Sequence, residues 1–207
     1  FRSAATSLPD VPRMRGLRVT CRAADDEQRG REGVHAGVDD RGPTVHGVYD
    51  YWLGGSMHER ADRELGKAIE EEFASVRTHV RAAKAFHLRA ARYCAERGIA
   101  RFIRAGAVTW QPGQNVHEAA REVNPGAEVV YVNQDAEAHG WARGLLAAGP
   151  GLAAVHADGG RPAEVLAVPP AAGWVGAGEP VCLILGMALH FTPAQTAAAI
   201  VASTIGK

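Results

Sequence analysis

The chain has 207 residues, 46% of them hydrophobic, which is enough for one domain of ordinary size with a real core. Lysine plus arginine and aspartate plus glutamate both number 23, so there is no net charge and none of the basic surplus of a general nucleic-acid binder. Cys21, Cys94 and Cys182 are scattered without C-x-x-C spacing, which fits a reducing cytoplasm, and no apolar run is long enough to cross a bilayer. Residues 1–43 mix arginine, aspartate, glycine and proline with few large apolar side chains, and read as a disordered or cloning-derived tail.

The character changes at Thr44. Tyr49, Tyr51 and Trp52 gather around Asp50, and the run ends in Gly54 and Gly55. This pattern reads either as a short helix closed by a glycine C-cap or as a lid in which Tyr49, Asp50 and Tyr51 cover a pocket. Residues 60–97 are helical in composition, with Leu65, Ile69 and Phe73 at helical spacing. Ser75 reads as a new N-cap, after which Val76, Val80, Ala83, Phe86, Ala90 and Cys94 form one apolar stripe up to Gly98. Arg77, Arg81, Lys84, Arg89 and Arg92 are expected on the solvated faces. Residues 44–98 are thus expected to form a helical cap.

Residues 99–207 alternate strand and helix. Arg101 to Gly106 reads as a strand. Asn115 then caps a helix carrying Val116, Ala119, Ala120 and Val123, and the β-branched run from Glu128 leads to Asn133 and Asp135. A parallel βαβ unit with glycine after its first strand and a carboxylate after its second is the half-site used for nucleotide-like cofactors. Further on come a helix over 136–148, a strand over 152–156 leading to Asp158, and a short helix from Pro162 towards Val168. A loop rich in proline and glycine follows. The most apolar run, 181–189, reads as the central strand, buried on both faces. His190 and Phe191 follow it, and Pro193 opens a last helix. Gly106, Asn133, Asp135, Asp158 and His190 all fall after strands, where open parallel sheets bind ligands. His190 is the candidate catalytic base, and no set of histidines and cysteines has metal-ligand spacing.

Two stretches carry a resemblance. Gly47-Val48-Tyr49-Asp50-Tyr51-Trp52-Leu53-Gly54-Gly55, followed by Ala61-Asp62-Arg63-Glu64, resembles the Y-D-Y-x-L-G-G and A-D-R-E signature of an uncharacterised family of bacterial S-adenosylmethionine-dependent methyltransferases. Asn115-Val116-His117-Glu118 is similar to its N-V-H-E helix, and Val130 to Asp135 to its Y-V-D-N-D-P element. The resemblance covers roughly 44–207. It implies a class I methyltransferase fold, a Rossmann-like parallel α/β sheet with helices on both faces behind an N-terminal helical segment, and S-adenosylmethionine as cofactor. By the resemblance, Gly106 would let the backbone pass the cofactor's amino-acid end. Asn133 and Asp135 would face its ribose, and Asp158 its adenine.

The family's D-x-G-x-G here reads Arg104-Ala105-Gly106-Ala107-Val108. Arginine replaces the acid, and valine, ill suited to a positive φ, stands where the second glycine belongs. The sheet is also expected to be incomplete, reaching only a fourth strand whose free edge a second copy or another partner would cover. The expected function is a methyltransferase, or its cofactor-binding portion, acting on an unidentified small molecule. The alternative is a non-catalytic relative acting through association. An NAD-dependent oxidoreductase fits less well, because G-x-G-x-x-G is missing.

Overall fold

A computed structural model describes residues 42–135, 140, 142, 149–158, 161–187, 189 and 194–204. Most of the expected tail (1–43), most of the helix expected over 136–148, and His190 lie outside the described residues.

Three helices come first: α1 (Val45–Leu53), α2 (Arg60–Glu72) and α3 (Val76–Glu96). Thr44 caps α1, its hydroxyl accepting from the Gly47 N–H at 2.9 Å. Gly54 ends the helix with φ 77°, a left-handed conformation that glycine adopts without a steric penalty. Asp62, in the first turn of α2, accepts from the backbone N–H of Glu59 and of Thr44, both at 2.7 Å. One carboxylate thereby fastens the starts of two helices together. It lies where a Cβ on Gly47 would sit, which explains a glycine inside α1.

α3 departs from expectation. Its buried face carries Val76, Val80, Lys84, Ala91 and Ala95, whereas Phe86 is 59% exposed. The face turned inward packs on α4 and β4, and small alanines allow the close approach. Phe86 falls outside that arc.

The sheet contains β1 (Arg101–Gly106), β2 (Glu128–Asn133), β3 (Leu152–His156) and β4 (Val181–Gly186), all parallel, in the order β3-β2-β1-β4. Phe102, Val129, Tyr131 and Ile184 face α3 and α4 (Val116–Arg121). Ile103, Val130 and Val132 face α5 (Pro162–Ala167) and α6 (Ala171–Gly176). Helices thus cover both faces, as in Rossmann-like folds. Burying each such Val or Ile side chain contributes about 1.5–3 kcal/mol.

Three expectations are corrected. β1 and β2 are the interior strands, while β4 lies at an edge of the four-stranded sheet and is only partly buried. Its apolar run reflects packing on two helical layers, not strands on both sides. The loop expected after Val168 contains α6, which anchors Trp174 in the core; Pro170 stands just before its first turn, a position that needs no N–H. α4 is also shorter than its apolar spacing suggested, ending at Arg121 with Val123 exposed. α7 (Ala194–Thr204) closes the described chain.

Candidate functional site

The carboxyl ends of the strands collect the residues singled out in the sequence. Gly106 ends β1 with φ 106° and lies in register with Gly186 at the end of β4. Ala107 N–H donates to the Gly186 carbonyl at 3.1 Å, holding the two ends together. Met187, just beyond, has φ 63°, an uncommon conformation for a residue with a side chain. Asn133 ends β2 and is 5% exposed. Its Oδ1 accepts from Asp135 N–H at 3.0 Å, while its Nδ2 is buried with no hydrogen-bond partner. Asp135 is half-buried beside it. Asp158 lies two residues past β3 with its carboxylate 3.4 Å from Arg161 Nε. Gly106, Asn133, Asp135 and Asp158 thus line one rim of the sheet, in the order their strands pair.

Tyr49, Asp50 and Tyr51 have divided roles. Asp50 is fully buried; its Oδ2 accepts from Met57 N–H at 2.8 Å and meets His58 Nδ1 at 2.9 Å. Gly55 has no Cβ because the Asp50 carboxylate fills that space. Tyr51 is half-buried, edge-on to His58 and beneath the Arg77 guanidinium. Tyr49 is buried, and its hydroxyl has no partner. The Asp50–His58 contact escaped the sequence reading; its only trace there is an acid and a histidine on either side of a glycine pair.

Behind the rim, under the loop from Ala107 to Asn115, is a cavity of about 30 Å³ lined by Tyr49, Lys84, Arg104, Thr109, Asn115 and Tyr131 among others. Lys84, expected on a solvated face, is 9% exposed, and Arg104 is 6% exposed. Lys84 sits at helical intervals from Val76, Val80 and Ala91, the signal that would have placed it inward. Its Nζ donates to Gln111 Oε1 at 2.6 Å and to Thr109 Oγ1 at 3.5 Å. Burial, and then the charge of Arg104, push its ammonium down to about 8. The Arg104 guanidinium donates to the carbonyls of Ala105 at 2.5 Å and Ala107 at 2.9 Å, and burial works against its charge.

The loop itself is tied on several sides. Gln111 Nε2 donates to Leu53 O at 3.0 Å, and Asn115 Nδ2 donates to Gln111 O at 2.7 Å. Asn115 and Glu118 form a capping box at the start of α4. Burial alone would raise the Glu118 carboxyl, but N–H donors from Gly113 and Asn115 outweigh it and hold it below the ordinary range. His117 stacks on Trp110, and its burial favours the neutral ring. Tyr131 hydroxyl accepts from His117 N–H at 3.1 Å and lies 2.8 Å from Nδ1, placing this histidine in packing.

A family model described as S-adenosyl methyltransferase matches residues 31–207. The chain belongs to the S-adenosyl methyltransferase family. Two crystal structures resemble it. A Thermobifida fusca protein proposed to be a methyltransferase has a TM-score of 0.73 at 30% identity, over 80% of this chain and 62% of that one. A DUF574 family protein of Streptomyces avermitilis has a TM-score of 0.69 at 32% identity, over 78% of this chain and 63% of that one. The chain therefore spans about three fifths of the length of each. No curated protein matches it.

The family description implies S-adenosylmethionine, and the rim residues fit its nucleoside half. The orphaned Asn133 amide is a buried donor available to a ribose oxygen, and Gly106 leaves bare backbone beside it. The β1 motif has been rebuilt. A Cβ on Gly186 would collide with the Arg104 guanidinium, so this chain's own arginine fills that bare face. Val108 takes no positive φ; it is buried in the core on the α3 and α4 side. The valine is therefore not strained in this loop.

Proposed function

We propose that this chain binds S-adenosylmethionine at the rim formed by Gly106, Asn133, Asp135 and Asp158, and is the cofactor-binding part of a methyltransferase acting on a small molecule. The unpartnered Asn133 amide, buried at the end of β2 in a member of this family, carries the reading. Bound cofactor supplies an electrophilic methyl group on a sulfonium. The chain's part is to hold the nucleoside and align that methyl with an acceptor, since methyl transfer asks for little beyond positioning and, for some acceptors, proton removal. His190 is kept as the candidate base.

We also place the protein in the cytoplasm, supported by the free thiols of Cys94 and Cys182. No helix among the described residues is long and apolar enough to cross a membrane. The outer edge of β4 is where a second copy or another partner would add.

Thermal unfolding with S-adenosylhomocysteine tests the reading. A ligand at about a hundred times its Kd adds roughly 2.7 kcal/mol. For a chain of this size that is about 5–10 °C in Tm. Asn133→Ala is expected to lose most of the gain. No shift in a cooperatively unfolding chain retires the proposal. The second reading, a non-catalytic relative, draws on Arg104 occupying the face of Gly186. It predicts that Arg104→Asp with Val108→Gly gains cofactor affinity that the natural chain lacks.

A further inference from the structure

Lys84 and Arg104 are two nearly buried cations on one small cavity, and among the described residues neither is paired with a carboxylate. A buried charge normally persists only when a counter-charge offsets its desolvation. The two acids whose charge favours the ammonium of Lys84, Asp50 and Glu118, make no ion pair with it, although Asp50 Oδ1 is buried without a partner. Asp50 accepts from Met57 N–H and contacts His58, and Glu118 accepts from Gly113 N–H, Asn115 N–H and Asn115 Nδ2. The cavity between them offers an additional donor, the Tyr49 hydroxyl, which is 2% exposed and has no partner.

We infer that the cavity between Lys84 and Arg104 is a binding site for a small monovalent anion, of halide or carboxylate size, held by both cations and the Tyr49 hydroxyl. Its volume of about 30 Å³ is roughly twice the 10–15 Å³ that one water requires. That is room for a halide or the two oxygens of a carboxylate. The ion is either free in solution, which stands apart from the cofactor reading above, or the carboxylate end of a larger ligand, which rests on that reading.

The experiment uses the full chain at constant ionic strength, with sodium isethionate, a bulky and weakly coordinating reference anion, replaced stepwise by chloride or formate. Tm is read for the natural chain, Lys84→Met and Tyr49→Phe. Binding of a free ion raises the Tm of the natural chain with a saturating dependence, while Lys84→Met weakens the apparent affinity about tenfold or more and Tyr49→Phe less. A second arm compares S-adenosylhomocysteine with 5′-methylthioadenosine, which keeps the nucleoside and lacks the carboxylate. If chloride and formate do nothing, but S-adenosylhomocysteine binding exceeds that of 5′-methylthioadenosine and Lys84→Met erases the difference, the anion is the ligand's carboxylate. If the natural chain and Lys84→Met respond alike in both arms, the site does not exist. Tyr49→Phe, which removes one oxygen atom, keeps the test open should the lysine variant fold poorly.

Discussion

Lys84→Met is expected to stabilise the folded chain by about 2 kcal/mol at pH 7 in halide-free, low-salt buffer. The folded environment lowers the Lys84 ammonium from 10.5 to about 8, through burial first and the Arg104 charge second. At about 1.36 kcal/mol for each tenfold change, that difference is worth roughly 3 kcal/mol against the charged form. Methionine fills similar volume without the charge, and about 1 kcal/mol is lost because Gln111 Oε1 gives up its donor. The charged groups facing Lys84 are Arg104, Asp50 and Glu118, and the repulsive one is also fully buried.

The same shift sets a pH dependence. Between about 8 and 10.5 the unfolded chain keeps a proton that the folded chain has released. Raising the pH through that window therefore stabilises the natural chain, by up to roughly 3 kcal/mol, and Lys84→Met removes this contribution. Urea unfolding of both proteins at pH 7 and pH 9.5 measures it. A variant less stable than the natural chain in halide-free buffer would mean the ammonium is already well paired, against this reading.

Asp62→Ala is expected to cost about 3 kcal/mol. Both carboxylate oxygens accept short backbone bonds of 2.7 Å, Oδ1 from Thr44 and Oδ2 from Glu59, and charge-assisted bonds contribute about 1.5–3 kcal/mol each. Asp62→Asn should be nearly as harmful, because its NH₂ would face one of those N–H donors. Asp50 predicts the opposite pattern. Met57 N–H and His58 both use Oδ2, and Oδ1 has no partner. Asp50→Asn can keep both contacts with its oxygen, and is expected to cost only about 1 kcal/mol. Denaturation followed by circular dichroism ranks the variants. An Asp62→Asn protein as stable as the natural chain would refute the two-oxygen clamp.

Local chemistry was readable where one residue does one job. Asn115 with Glu118 announced the start of α4, Gly54 announced the end of α1, and the β-branched run from Glu128 announced β2. Reading α3 failed because hydrophobicity alone chose the stripe. Phe86 is apolar yet exposed, while Lys84 is polar yet faces inward beside the alanines. β4 was expected to have a free edge and does, but its apolar run was overread as burial on both faces, and most of the strand is only partly buried. The alternation of strands and helices put Gly106 and Asn133 after strands, and they close the neighbouring strands β1 and β2. The cation pair was hidden, since Lys84 and Arg104 are brought to one cavity only when α3 packs over the sheet.

The order of the sheet also writes a pattern in time. Gly186 carbonyl points towards β1, where Ala107 N–H meets it, and strand groups alternate sides. The amides of Cys182 and Ile184 therefore face β1, and those of Val181, Leu183 and Leu185 point to the other side, where no strand pairs with them among the described residues. In deuterated water β4 should behave as a comb, Leu183 and Leu185 exchanging early while Ile184 between them exchanges late with the interior of β1. Equal protection of all three would show that in solution something lies along that edge.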